Sequence, residues 1–298
     1  MLDDKKTFDD PHMESLLPAV TFSRRGFLAS SASVAGFALS AGPVSAQTAI
    51  TTDAEGIEGA DIKVAVSGGQ MPGYIAAPAK AGKFPTVLVV PEIFGMHRYQ
   101  QDICRRLAKI GYVGVTFDPF FRSGDLSKIS DIKEVIGKAN SLADNVMLAD
   151  LDALVDMVSK HKKVNAAKLG ITGMCRGGRT VWMAVAHSKK FKAGVSWYGG
   201  LNPMPPAMPQ TPVNIAKTLN APVLGLYAGA DAGIPVTAVA TLQDALKTGN
   251  KNSKASTFIL YPNVPHAFHA DYRPSYRKPE AEAAWKEMLA WFKQYGVA

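Results

Sequence analysis

Residues 173–177 read G-M-C-R-G, and Gly178 follows. The apolar run K-L-G-I-T at 168–172 predicts a short strand, and helical sequence begins after Cys175. A thiol becomes a strong nucleophile when it ionises, and a sharp strand-to-helix turn lifts such a group clear of a sheet. Gly173 and Gly177 leave room where the two backbones must nearly touch. The helix that follows points its positive end at the sulfur, which favours the thiolate. The competing reading is a buried cysteine at an ordinary turn. A nucleophile of this kind also needs a base and a group to orient that base. His266, in Y-P-N-V-P-H-A-F-H, follows a predicted strand ending at Tyr261. Asp231, in Y-A-G-A-D-A-G-I-P, follows one ending at Tyr227. His266 is expected to serve as base and acid, with Asp231 orienting its ring. His269 is the rival histidine. His266 is preferred because it stands closer to its strand.

These residues need a frame. Residues 61–67 alternate in polarity and 71–76 follow after S-G-G-Q, which predicts an antiparallel hairpin. The continuous β-branched run at 86–90 predicts a strand buried on both faces, and 112–117, 192–197, 222–227 and 256–261 also read as strands. Helices are expected over 98–110, 130–160, 235–248 and 279–294, the last with Trp285, Leu289 and Phe292 facing inward. The Pro-rich piece 202–209 reads as a loop. Strands alternating with helices predict an α/β fold with a mostly parallel sheet covered on both faces. The order nucleophile, acid, histidine is that of the α/β-hydrolase fold, with all three at the C-terminal edge of the sheet.

The first residues read as an address. S-R-R-G-F-L at 23–28, a weakly apolar stretch from Phe27 to about Ala41, and P-V-S-A-Q at 43–47 follow the order of an export signal. The paired arginines resemble a twin-arginine signal, a pathway that moves folded proteins. Residues 1–46 are therefore expected to be a signal with an unusually long lead, and 47–298 a single α/β-hydrolase domain. The expected location is periplasmic or secreted, with the twin-arginine export machinery as a partner. The apolar run is too short and too rich in Ser and Gly for a stable membrane anchor.

The formal net charge is +8, but the basic residues are scattered, which argues against nucleic acid as a partner. Two cysteines are too few for a disulfide framework. Cys104, on the apolar side of its helix, reads as an inert buried thiol. No zinc-site spacing and no phosphate-binding glycine loop occurs, so neither a metal nor a cofactor is expected.

The set P-E-I-F-G, G-M-C-R-G-G, G-A-D-A-G-I-P and P-H-A-F resembles the dienelactone hydrolases, or carboxymethylenebutenolidases, over roughly residues 60–295. The resemblance implies a carboxylic ester hydrolase that opens dienelactone to maleylacetate. It implies that Glu92 contacts the nucleophilic cysteine and helps control its ionisation. It also implies an oxyanion hole made by the backbone N–H groups of Arg176 and Ile93. Arg122, in F-D-P-F-F-R, matches the family's first substrate-carboxylate arginine. The second falls on Ala270, and Arg273 replaces it if the loop bends inward; otherwise Arg273 is a solvated surface residue. Tyr74 and Tyr198 are read as core or rim packing. The expected substrate is a small ester or lactone, and the default state a monomer. Three other readings share the sequence: a broad-range carboxylesterase using the same residues, a non-catalytic binding protein, and a thiol redox protein, which lacks a C-x-x-C.

Overall fold

The computed structural model describes residues 50–298 apart from Pro205. The proposed address at 1–46 therefore lies outside the described residues. The hairpin forms as β1 (Ile57–Val66) and β2 (Gly69–Pro78). The apolar runs form β3 (Phe84–Val90), β4 (Val113–Phe117), β5 (Val164–Met174), β6 (Ala193–Trp197), β7 (Val223–Ala228) and β8 (Thr257–Tyr261). The eight strands make one sheet in the order β1-β2-β4-β3-β5-β6-β7-β8. β2 runs antiparallel to both its neighbours, and the remaining pairs are parallel. This is the α/β-hydrolase layout that the order of chemical groups led one to expect.

The helices are α1 (Arg98–Lys109), α2 (Ile132–Ser141), α3 (Asp144–Val158), α4 (Arg176–His187), α5 (Pro212–Ile215), α6 (Val236–Lys247), α7 (Lys251–Ala255) and α8 (Lys278–Gln294). Register shows which face each covers. Gly114 and Gly170 lie in one row of the sheet, both beside Val87. A side chain at Gly114 would strike Cys104 of α1, and one at Gly170 would strike Phe292 of α8. Those two helices therefore share a face. Gly194 belongs to the next row, where side chains point the other way. There it meets Val181 and Val185 of α4.

Two expectations change. The helical region 130–160 is broken: Leu142 and Ala143 are extended, and α3 restarts at Asp144. The break brings the Asp144 carboxylate to the buried guanidinium of Arg179, at 2.6 and 2.8 Å, and the Leu142 carbonyl to Arg176 at 3.3 Å. Buried cations need such partners, and a continuous helix would have kept the Leu142 carbonyl for itself. In α8 the buried stripe is Ala281, Ala284, Met288, Trp291 and Phe292, while Trp285 and Leu289 are half-buried at its margin. The small alanines let the helix approach the sheet closely.

Residues 52–55, just before β1, strap onto α1. Asp102 accepts from the Thr52 N–H at 2.7 Å and the Thr52 hydroxyl at 3.1 Å, and Arg105 donates to the Thr52 carbonyl. Lys109 reaches Asp53 and the Glu55 carbonyl. Arg106 then joins Asp102 at 2.7 Å to Asp271 at 2.5 Å. The strap is thus linked through α1 to the loop after β8. No helix among the described residues is long and apolar enough to cross a membrane.

Candidate active site

β5 ends at Met174 and α4 starts at Arg176, so the whole reversal falls on Cys175. Its backbone has φ 54° and ψ −116°, a conformation that a residue with a side chain rarely adopts. The elbow is held by the Cys175 N–H donating to the Trp197 carbonyl at 3.0 Å and by the Arg179 N–H donating to the Cys175 carbonyl at 3.1 Å. Glycine is obligatory on either side. A Cβ on Gly173 would lie 2.4 Å from the Gly177 carbonyl oxygen, and one on Gly177 would lie 2.2 Å from that of Val90. Such strain persists where the surroundings over-determine it, and it clusters at functional sites.

Asp231 and His266 come together from neighbouring loops. The loop after β7 is tied to the loop after β8 by the Gly229 N–H to Tyr261 and the Ala230 N–H to Val264. Asp231 Oδ1 accepts from the Gly233 N–H at 3.0 Å, which leaves Oδ2 for His266 Nδ1 at 2.6 Å. Both side chains are buried. The far nitrogen, Nε2, is buried with no nitrogen or oxygen partner among the described residues. Burial opposes charge on this ring, but the Asp231 carboxylate and the Cys175 sulfur outweigh it and push the imidazole up to about 10. The histidine is therefore a strong proton acceptor beside the sulfur.

His269 has a different place. Its Nδ1 meets the Tyr99 hydroxyl at 2.5 Å, and its ring lies between Trp197 and Trp285. Burial and the nearby Arg106 push it down to about 3, so it stays neutral. This is a packing and hydrogen-bonding histidine.

Glu92 is 1% exposed at the turn after β3. Its Oε1 accepts from the Tyr272 hydroxyl and lies 3.4 Å from His97 Nε2, and its Oε2 lies 3.3 Å from Arg273 Nη2. Burial works against the charge, but Arg273 and His97 prevail and hold the carboxyl below the usual range. No hydrogen bond joins Glu92 to Cys175 among the described residues; its partners are His97, Tyr272 and Arg273. The loop after β8 does bend inward. Arg273 is buried, donates through Nε to the Tyr272 hydroxyl at 3.0 Å, and stacks over Phe94 and Tyr272.

Arg122 is not brought to this cluster. Its guanidinium is bidentate to Asp150 at 2.7 and 2.8 Å, and also donates to the Ser67 carbonyl. The expectation of a substrate carboxylate at Arg122 gives way to an ion pair with α3, because Asp150 already occupies the fork. Ile93 lies in the turn closed by the Gly95 N–H to the Glu92 carbonyl. Arg176 opens α4, where a helix leaves its first N–H groups without internal partners. The Arg176 side chain is buried away from the elbow, on Thr180 and Leu142.

Sequence reasoning missed His97, Tyr99 and Tyr272. Tyr272 adjoins Arg273, and His97 lies five residues past Glu92, but nothing in their spacing announces a shared carboxylate. Tyr198, read as packing, lies edge-on to His266 with ring centres 5.0 Å apart. Tyr74 is buried in β2 and pairs with Asp61 and Thr116 in the sheet. Among the described residues no group of three or more His, Cys, Asp or Glu could hold a metal ion.

An eight-stranded sheet with a strained cysteine elbow and an Asp–His pair at its C-terminal edge defines a hydrolase of the α/β class. Comparison narrows this to a family. Residues 71–296 match the model of the dienelactone hydrolase family. A protein of Methylorubrum extorquens, provisionally named a carboxymethylenebutenolidase, is 45% identical over 97% of this chain and 99% of its own length. One of Escherichia coli K12 with the same provisional name is 42% identical over 88% of this chain and 96% of its own. A crystal structure from Klebsiella pneumoniae, provisionally named a dienelactone hydrolase, is 42% identical with a TM-score of 0.76, covering 80% of this chain and 99% of that one. The chain belongs to the dienelactone hydrolase family and is a hydrolase of that type.

Proposed function

We propose that the protein hydrolyses a small ester or lactone, dienelactone-like, through Cys175, His266 and Asp231. The observation that carries this reading is the convergence on one sheet edge of three things: the strained elbow, the 2.6 Å Asp231–His266 bond, and an imidazole whose proton affinity Cys175 raises.

In this reading His266 takes the thiol proton and Cys175 attacks the carbonyl carbon. The backbone N–H groups of Arg176 and Ile93 receive the charge that develops on the carbonyl oxygen, commonly a large share of catalysis. The C–O bond breaks, His266 returns its proton to the departing oxygen, and water then frees the acyl group by the same route. Asp231 keeps the ring oriented and offsets its charge. Arg273 is the cation available to a substrate carboxylate, and Glu92 balances its charge while the site is empty. Glu92 reaches the reacting groups through its charge interaction with His266. The protein works in the periplasm or outside the cell after twin-arginine export, as a monomer.

The deciding experiment compares a dienelactone with a neutral aryl ester, using protein lacking residues 1–46 and a Cys175→Ala control. The expected result is turnover of the lactone that the substitution abolishes while the circular dichroism spectrum is retained. Full turnover by the Cys175→Ala protein would end the reading. Cleavage of the neutral ester alone would keep the cysteine and remove the anionic substrate.

A further inference from the structure

Tyr198 follows β6 directly, one residue after the carbonyl that holds the Cys175 N–H. Two costs are concentrated on it. Its backbone has φ 37°, in the left-handed region that a bulky residue avoids. Its hydroxyl is fully buried and completes no hydrogen bond among the described residues. Buried polar groups are nearly always paired, so an orphan calls for an explanation. The Tyr99 hydroxyl, which meets His269 Nδ1 at 2.5 Å, lies near enough to act on the Tyr198 hydroxyl but completes no hydrogen bond with it.

Packing alone does not require the oxygen. The Tyr198 ring lies edge-on to His266 at 5.0 Å and to Phe268 at 5.4 Å, and phenylalanine would make both contacts. The hydroxyl instead lies within the fields of Glu92, Cys175 and Arg273. With its ring 5.0 Å from that of His266, it is near both the nucleophile and the cluster that would receive a substrate carboxylate. Burial, followed by Glu92 and Cys175, pushes its proton affinity well above that of an ordinary phenol, so the hydroxyl keeps its proton and has it to donate.

We propose that Tyr198 is a catalytic residue whose hydroxyl hydrogen-bonds the leaving oxygen of the substrate, an inference that rests on Cys175 being the nucleophile. The carbonyl oxygen has its two backbone donors in that reading. The leaving oxygen has no donor besides the proton that His266 delivers, and it lies on the carboxylate side when the carbonyl carbon is at Cys175 and the carboxylate points to Arg273. In the step, the Sγ–C bond forms and the C–O bond breaks, with its electron pair going to the leaving oxygen. Tyr198 holds that charge by its hydrogen bond while His266 delivers the proton. An interaction made only as charge develops lowers the barrier without tightening substrate binding.

The test is Tyr198→Phe in protein lacking residues 1–46, assayed on acetate esters whose leaving groups each carry a carboxylate and run from 4-nitrophenyl to alkyl. The acylation rate should fall about 100-fold for the poorest leaving groups, the scale of one lost transition-state donor, and much less for 4-nitrophenyl. KM and the pH profile of Cys175 alkylation should not change. A loss that is equal across the series, no loss at all, or the same graded loss from Tyr99→Phe would make Tyr198 a packing residue. Turnover by Cys175→Ala in the otherwise unchanged protein would defeat the nucleophile reading itself, whatever Tyr198 does.

Discussion

The two histidines after β8 show how an environment of a few ångströms moves the proton affinity of one residue type in opposite directions. His266 has a carboxylate on Nδ1 and a sulfur nearby; His269 has a phenol and two indoles. The sequence favours His266 on spacing from its strand, and in the structure His266, not His269, carries a carboxylate partner. His269 also predicts acid sensitivity. Its folded-state value is about 3 against 6.5 for a free imidazole. Between those pH values the unfolded chain binds a proton that the folded chain refuses, so stability falls as pH drops through that window. His269→Gln loses the Tyr99 bond at every pH but escapes this penalty. Its deficit in Tm should be largest near pH 7 and shrink toward pH 4. A deficit independent of pH would show that His269 titrates normally in the fold. Single residues whose partners come from distant loops were the least legible: Arg122 and Arg273 look alike on paper, and only the placement of Asp150 and Glu92 separates them.

At the level of elements, the strands and the elbow were readable because their signals are local. The uninterrupted run at 86–90 becomes a strand buried almost throughout, and glycines at fixed offsets from Cys175 follow from backbone contact. The break between α2 and α3 was not readable, because its cause is 35 residues away in Arg179. Helical periodicity continues across Leu142, but the buried cation dictates where the chain must open. Asp144→Ala should therefore cost about 3–5 kcal/mol, the usual penalty for stranding a buried charge. Urea melts of the variant would measure it. A change under 1 kcal/mol, within the range of an exposed pair, would mean that solvent reaches Arg179. The same residue pair braces the first turn of α4, so element stability and the shape of the elbow are set together.

At the scale of the molecule, the strap at residues 52–55 turns one end of the chain into a reporter on the other. Asp102 and Asp271 are both buried and share the single guanidinium of Arg106, so Asp102 depends on the two Thr52 donors for the rest of its solvation. Removal of residues 1–46 would leave this latch intact, whereas trimming past Thr52 would remove it and leave Arg106 to be drawn toward Asp102. The loop bearing Tyr272 and Arg273 would then loosen some 220 residues downstream of the cut, roughly the separation in sequence between Thr52 and Arg273. Amide hydrogen exchange in residues 268–277 should quicken in a chain that starts at residue 56 while exchange in β6 and β7 is unchanged. Uniform exchange in both proteins would show the latch to be ornamental. A processing peptidase that clips a few residues too far would, on this view, produce an enzyme that is folded but slack at its substrate end. The position of such a cut would then set how firmly the far loop is held.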